Sequence, residues 1–232
     1  MTGIEPAAAA EITLTAADGH RLDAWVAPPS VTPRAGLVIA QEMYGVNAYL
    51  RDVCAWYAGH GYLAIAPSLY DRLQPGLTFE YTDEDNLRAK DLYRNYDWSK
   101  AVMDLEAARD WAARAGKVGI VGFCFGGSLA WLAACRSRFD AAVSYYGGEI
   151  TRYLDEDGAR CPIECHVGEH DTSLDAAKIA RFRARYPDVP FHIYPGAVHG
   201  FDNPGRGDRH HPEAARQARA RALAFLARHL SR

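Results

Sequence analysis

Residues 119–128 read Gly119-Ile-Val-Gly-Phe-Cys124-Phe-Gly-Gly-Ser128, and they indicate a strand that passes through a glycine turn into a helix. The apolar residues before Cys124 suit a buried parallel strand, and the alanine- and leucine-rich residues after Gly127 favour a helix. Gly122 and Gly126 flank Cys124, where so sharp a turn leaves no room for a Cβ atom. The pattern predicts a nucleophile elbow with a thiol at the turn. The alternative is a buried structural cysteine.

The rest of the chain is typical of a globular α/β protein. Its 232 residues are 49% hydrophobic and 24% charged, which is enough to bury a sizeable core. We expect one domain over residues 1–232, with residues 69–98 as a candidate insertion or lid on the substrate side. A formal net charge of −3 gives no reason to expect nucleic acid or a membrane as a partner. The expected partner is a small molecule.

The cysteines indicate reduced thiols rather than disulfides. They are odd in number and widely spread, at positions 54, 124, 135, 161 and 165. The N-terminus lacks the basic start of a secretory signal, and no apolar run approaches the roughly 18 residues of a membrane span. These features favour a cytoplasmic protein. A metal site at Cys161, Cys165 and His166 is a weak alternative, because no second cysteine pair stands at zinc-site spacing.

Eight apolar segments are predicted as strands. The first two, residues 11–15 and 21–26, flank Asp18-Gly19 and predict an antiparallel hairpin. Helical stretches separate the other six, which favours a mostly parallel sheet with helices on both faces. These six strands are predicted at residues 36–40, 62–66, 118–121, 141–145, 163–167 and 191–194. Helices are predicted at residues 48–58, 83–93, 99–115, 127–135, 175–186 and 212–229, the last packing on the sheet.

Candidate reactive groups follow the carboxyl ends of these strands, where open parallel sheets bind ligands. Cys124, Asp171 and His199 occur in the nucleophile–acid–base order of α/β hydrolases. A free thiol is mostly protonated at neutral pH, so His199 is expected to accept its proton. Asp171 is expected to orient the imidazole, with Glu169 and Asp175 as alternatives.

Two backbone amides and one carboxylate complete the candidate site. Phe125 follows the nucleophile and Met43 lies in the loop after residue 40, so their N–H groups are expected to form the oxyanion hole. Glu42 has no place in an ordinary triad. Near the thiol it would hold the sulfur neutral unless a substrate displaced it. The alternative is a surface or hinge glutamate.

Taken in order, four segments resemble the dienelactone hydrolases (carboxymethylenebutenolidases) over residues 11–229. They are Gln41-Glu-Met-Tyr-Gly-Val-Asn47, Gly122-Phe-Cys124-Phe-Gly-Gly127, Asp171 and His199-Gly-Phe201. The resemblance implies an α/β-hydrolase fold and a Cys–His–Asp triad that opens dienelactone to maleylacetate through a thioester. It also implies that Glu42 helps to activate the thiol when an anionic substrate binds. No metal or organic cofactor and no second subunit are implied.

The resemblance is uneven where family members bind the substrate carboxylate with two arginines. Asn203 stands where one arginine is expected, so Arg206 or Arg209 would serve only if residues 202–209 fold inward. Arg88 is near the place of the other arginine.

Two aromatic residues, Tyr145 and Phe201, resemble substrate-side positions of the family, although a core tyrosine is an alternative for Tyr145. With the uneven arginines, this leaves another lactone or a neutral ester as an alternative substrate. A non-catalytic binding protein on the same scaffold is the alternative of another class, because fold alone does not imply function.

Overall fold

The computed structural model describes residues 8–231, which form one eight-stranded sheet. The strands are β1 (Ala10–Thr15), β2 (Arg21–Ala27), β3 (Ala35–Ala40), β4 (Tyr62–Pro67), β5 (Val118–Phe123), β6 (Ala141–Tyr145), β7 (Ile163–Gly168) and β8 (Phe191–Tyr194). Their spatial order is β1-β2-β4-β3-β5-β6-β7-β8. Pairings of β2 with β1 and β4 are antiparallel, and the others are parallel. The predicted antiparallel edge and parallel centre are therefore confirmed.

Six α-helices lie within the described residues. They are α1 (Ala48–Gly59), α2 (Asp83–Asn95), α3 (Trp98–Ala112), α4 (Phe125–Arg136), α5 (Ala176–Arg185) and α6 (Pro212–Leu230). Helix α3 is shorter than predicted, because the chain continues as a 3-10 turn over residues 113–115. Helix α4 begins two residues earlier than predicted, immediately after Cys124. No helix in residues 8–231 combines the length and apolar character needed to cross a membrane.

Helices cover both faces of the sheet. On one face, Leu105 of α3, Leu129 of α4 and Phe182 of α5 are fully buried in a shared core. On the other face, Leu50 of α1 and Leu226 of α6 belong to a second buried cluster. Because side chains alternate along a strand, β5 contributes to both layers, and all six of its residues are buried. This double cover fixes the position of the turn that follows β5.

Helix α2 is held differently from the helices that cover the sheet. Its side chains are mostly polar, and among its residues only Ala89 is buried, whereas Leu87 is 69% exposed. The helix therefore gains little stability from burying apolar area.

The interpretation of the N-terminus as lacking a secretory signal falls largely on residues 1–7, which lie outside the described residues.

Candidate active site

The turn after β5 holds Cys124 in a backbone conformation that side-chain-bearing residues rarely adopt. Its φ is 55° and its ψ is −111°. A Cβ atom on Gly122 would lie 1.8 Å from the Gly126 oxygen, and one on Gly126 would lie 2.1 Å from the Ala40 oxygen. The Cys124 N–H also donates a 3.0 Å hydrogen bond to the Tyr145 oxygen. The surrounding backbone thus imposes the strained turn and exposes the sulfur.

Three loops bring Cys124, His199 and Asp171 into a continuous array. The Cys124 Sγ lies 3.1 Å from His199 Nε2, and His199 Nδ1 lies 2.9 Å from Asp171 Oδ2. The cysteine follows β5, the aspartate follows β7 and the histidine follows β8, so each stands at a carboxyl end of the sheet. A base within hydrogen-bond distance of a thiol, itself held by a carboxylate, has the geometry needed for nucleophile activation.

Of the three acidic residues considered in the loop after β7, only Asp171 contacts the histidine. The Asp171 Oδ1 also accepts hydrogen bonds from the Ser173 and Leu174 amides at 2.7 and 3.0 Å. Glu169 instead accepts from a backbone amide in the next loop and has a half-exposed side chain, and Asp175 caps α5. Burial alone would raise the pKa of Asp171, but its contact with His199 and the two amides lower it. The carboxylate therefore stays charged beside the imidazole.

The surroundings of His199 stabilise the protonated form of its imidazole. Its burial opposes the charged form, yet the adjacent Cys124 sulfur and Asp171 carboxylate together raise the pKa of His199 to about 10. A proton taken from the thiol would thus be retained at neutral pH.

Met43 and Phe125, whose amides are predicted to form the oxyanion hole, line the same cavity as Cys124. The Phe125 N–H is at the first residue of α4, where an amide has no acceptor within the helix. Met43 lies in the loop after β3, and this loop is tied to the turn by a 2.9 Å hydrogen bond from the Gly126 N–H to the Gln41 oxygen. The role of both amides in stabilising negative charge on a carbonyl oxygen stays a prediction.

Glu42 is buried, with 2% of its surface exposed, so it is not a surface residue. Its Oε2 accepts a 2.9 Å hydrogen bond from Asn203 Nδ2, and its Oε1 accepts a longer one, 3.4 Å, from the Tyr146 hydroxyl. Burial raises the pKa of Glu42, although the charge of Arg206 and the Asn203 hydrogen bond oppose that shift. The carboxyl group therefore binds a proton more readily than an ordinary glutamate.

A cavity of about 1110 Å³ opens over Cys124 and His199 at the carboxyl ends of the strands. Its lining includes two acidic side chains, Asp83 and Glu149. Five cationic side chains also line it, namely Lys90, Arg94, Arg152, Arg206 and Arg209. The excess of cations attracts anions, especially in a concave site where the field is concentrated.

The loop over residues 202–209 folds inward, and Arg206 and Arg209 both line the cavity. The Arg206 guanidinium lies 5.1 Å from the Tyr44 ring centroid and 5.7 Å from that of Tyr81, distances suited to cation–π contacts. Arg88 lies outside the cavity lining, contrary to its predicted position. Its side chain is 60% exposed and lies 3.6 Å from Asp85 on the outer part of α2.

Tyr145 and Phe201 also lie outside the cavity lining, because both are fully buried in the core. The Tyr145 ring stacks between Phe123 and His166, with centroid distances of 4.7 and 4.6 Å. Phe201 packs on Tyr194 at 5.2 Å. The alternative of a core tyrosine describes Tyr145 correctly, since its strand directs this side chain into the layer under α1 and α6. Its neighbour Tyr146 is the tyrosine that contacts His199, with a centroid distance of 5.1 Å.

Sequence reasoning did not identify Tyr81, which lines the cavity and accepts a 2.8 Å hydrogen bond from Asn203. Its location in the polar segment after β4 was a usable signal, because that segment was expected on the substrate side.

Among residues 8–231, no group of three or more His, Cys, Asp and Glu side chains has the arrangement of a metal site.

The thiol at a strained strand–helix turn and its Cys–Asp–His order identify the fold and site as those of an α/β hydrolase. The family model for the dienelactone hydrolase family matches residues 22–230. The chain therefore belongs to the dienelactone hydrolase family, and it is a hydrolase of carboxylic ester or lactone bonds.

Similar proteins agree with this assignment. The carboxymethylenebutenolidase of Pseudomonas putida is 36% identical over 225 residues, which cover 93% of this chain and 95% of that protein. The carboxymethylenebutenolidase of Pseudomonas sp. strain P51 is 32% identical, with 94% of each chain covered. A crystal structure of a candidate dienelactone hydrolase from Klebsiella pneumoniae subsp. pneumoniae MGH 78578 superposes with a TM-score of 0.79 at 30% identity. It covers 94% of this chain and 99% of its own.

Proposed function

We propose that the protein opens a lactone through a thioester on Cys124, with dienelactone as the leading substrate and maleylacetate as its product. The observation that carries the proposal is the 3.1 Å distance between Cys124 Sγ and His199 Nε2. His199 takes the thiol proton as sulfur bonds to the carbonyl carbon. The amides of Met43 and Phe125 stabilise the resulting oxyanion.

The second half of the reaction restores the thiol. When the oxyanion collapses, the carbon–oxygen bond of the ring breaks, and His199 gives its proton to the departing oxygen. His199 then takes a proton from water as that water attacks the thioester. Collapse of this second oxyanion releases the carboxylate and returns the proton to sulfur. One water is consumed for each ring opened, and every reacting group comes from one chain without a metal or organic cofactor.

Glu42 acts before this cycle, by controlling whether the thiol can lose its proton. Its burial and raised pKa leave it uncharged more readily than an exposed glutamate, and it lies close enough to feel the charges of Arg206 and His199. We propose that binding of an anion beside Arg206 changes the balance of charge around Glu42 and so promotes thiolate formation.

The cations of the cavity support an anionic substrate, and the relatives named carboxymethylenebutenolidases support dienelactone in particular. Asn203 favours a second candidate, because a neutral amide replaces one arginine expected from the family resemblance. The volume of about 1110 Å³ also exceeds the roughly 300–1,000 Å³ typical of pockets for drug-sized ligands. A larger anionic lactone or a neutral ester is therefore the alternative substrate.

The test compares wild-type protein with the Cys124→Ala variant on dienelactone, a larger anionic lactone and a neutral aryl ester. Loss of lactone ultraviolet absorbance and release of the aryl alcohol report turnover. The proposal predicts turnover by wild-type protein only, with dienelactone preferred. Preference for the larger lactone or the neutral ester would select the second candidate. Absence of all turnover would favour a binding protein.

A further inference from the structure

The hydroxyl group of Tyr81 joins three separate segments of the chain at the edge of the cavity. It accepts hydrogen bonds from Asn203 Nδ2 at 2.8 Å and from Asn47 Nδ2 at 3.0 Å. Asn47 ends the loop after β3, and Asn203 lies in the loop after β8. The ring of Tyr81 is fixed by an edge-to-face contact with Tyr44, with centroids 4.8 Å apart. The position of the hydroxyl is therefore well determined.

These two bonds leave the hydroxyl hydrogen of Tyr81 free. A tyrosine hydroxyl accepts through its oxygen and donates one hydrogen, and both of its bonds here use the oxygen. Among residues 8–231, no acceptor is found for the hydrogen, and Tyr81 lines the cavity. Burial and the charge of Glu42 raise the pKa of Tyr81 to about 12, so the hydrogen is retained at neutral pH. A donor is thus available to a molecule in the cavity.

Asn203, one of the two hydrogen-bond partners of Tyr81, also contacts Glu42 directly. The Asn203 Nδ2 donates to Tyr81 and also to Glu42 Oε2, at 2.9 Å. Its Oδ1 accepts the Gly205 N–H at 2.9 Å, and Asn203 itself is fully buried. Every polar group of this side chain is therefore committed, and its orientation depends on Tyr81.

We propose that Tyr81 donates its free hydroxyl hydrogen to an oxygen of the bound substrate while its oxygen holds the Asn203 amide on Glu42. Tyr81 is then a specificity-determining residue that links the cavity to the buried carboxyl group. The inference rests on the proposed function and names its substrate class more closely. The guanidinium of Arg206 lies over the same ring, so the recognised oxygen belongs to an anionic group, such as a carboxylate attached to the lactone or ester.

The main test is Tyr81→Phe, which removes one oxygen atom and keeps the ring contact. Loss of a hydrogen bond to a charged group lowers kcat/KM for the anionic lactone by about 10- to 100-fold. The neutral aryl ester, which has no such group, is affected less. Tyr93→Phe is the matched control, because Tyr93 lines the same cavity without joining the Tyr81–Asn203–Glu42 chain.

The pH profile tests the link to Glu42. Asn203 lowers the pKa of Glu42, so a looser Asn203 raises that pKa and moves the acid limb of kcat/KM to higher pH. In a Glu42→Gln background, Tyr81→Phe moves the limb no further. The charged groups that face Glu42 are Arg206, His199 and Asp202, and the tyrosines are Tyr44, Tyr49, Tyr81 and Tyr146. All of them remain in the Tyr93→Phe control.

Binding of the lactone to Cys124→Ala protein separates this inference from the proposed function. Weaker binding when Tyr81→Phe is added supports the substrate contact, whether or not wild-type protein turns the lactone over. Equal binding with and without Tyr81→Phe would overturn the inference. So would a Tyr81→Phe enzyme that matches Tyr93→Phe on both substrates, or one that loses equal activity on both with an unmoved acid limb.

Discussion

The Asn203 amide donates a 2.9 Å hydrogen bond to the buried Glu42 carboxyl group. This donor is neutral, so it does not offset the cost of burying a charge as a paired cation would. The pKa of Glu42 is consequently raised by burial. The protonation of Glu42 can therefore respond to small changes in its surroundings.

Replacing Glu42 by glutamine removes the titrating group and keeps the shape and the contact with Asn203. We expect kcat/KM to fall by about 100-fold, the lower end of contributions from a positioned acid or base. Once a bound anion has changed the charges around it, the carboxylate form of Glu42 is the one that helps to remove the thiol proton, so in wild-type protein activity falls as pH drops through the raised pKa of Glu42. The acid limb assigned to Glu42 is absent in Glu42→Gln. A pH–rate profile of both proteins from pH 4 to 9 measures the fall in kcat/KM and the acid limb. An acid limb that is unchanged in Glu42→Gln would contradict the role of Glu42 in activating the thiol.

Arg206→Gln tests the anionic site. Removing the charge should raise KM for an anionic lactone and lower kcat/KM by about 10- to 100-fold, because a hydrogen bond between charged groups is lost. A neutral ester should be much less affected. Arg88→Gln is the control, since Arg88 is exposed outside the cavity lining. Equal losses in the two variants would argue against a specific anion site at Arg206.

Asp171→Asn retains size but removes the charge beside His199. We expect kcat to fall by roughly 10³- to 10⁴-fold, since asparagine neither holds the imidazole in the correct tautomer nor stabilises its charged form. Asp175→Asn should leave activity and stability nearly unchanged, because asparagine caps helices as well as aspartate does. Steady-state kinetics on one aryl ester compare them. A similar kcat in both variants would show that Asp171 does not act on His199.

Gly122→Ala tests the packing that holds the elbow. The added Cβ would meet the Gly126 oxygen at 1.8 Å, so we expect the free energy of unfolding to fall by about 3 kcal/mol or more. Gly59→Ala is the control, because a Cβ there meets nothing within 4 Å. Chemical denaturation provides the comparison. Equal stability of the two variants would show that the turn can relax around a side chain.

A buried cluster under α6 predicts acid sensitivity of the fold. Glu164 lies 3.0 Å from His166 and 3.2 Å from His192. Burial opposes its charge, but the two histidines lower the pKa of Glu164 to about 2, so its stabilisation is present above an ordinary glutamate pKa and is lost as pH falls toward 2. Burial lowers the pKa of His166, so the free energy of unfolding also decreases as pH falls below about 6.5. Glu164→Gln should flatten the fall in unfolding free energy between pH 5 and 2, and an unchanged slope would contradict this.

The strands and the reactive array were predictable because their signals are local. Alternation and apolar runs define strands over a few residues, and the glycines around Cys124 report a turn that tolerates no Cβ. The ends of parallel strands then bring Cys124, Asp171 and His199 to one edge.

The substrate side was less predictable because it depends on register and on loops. A shift of one residue exchanges Tyr145 for Tyr146, which is equally buried but contacts His199. Whether Arg88 faces the cavity depends on which side of α2 packs against the protein. The sequence does not show this, because few residues of α2 are buried. The contacts of Tyr81 with Asn47 and Asn203 join residues far apart in the chain. No local pattern reports them.

The central claim is that Cys124 carries the acyl group, and the mass of protein quenched in acid during lactone turnover tests it most directly. We predict a population heavier by the mass of one lactone, because ring opening releases no fragment, with the added mass on the peptide that contains Cys124. Cys124→Ala protein should show neither the adduct nor turnover. An adduct on another residue, or full turnover by Cys124→Ala protein, would contradict the mechanism.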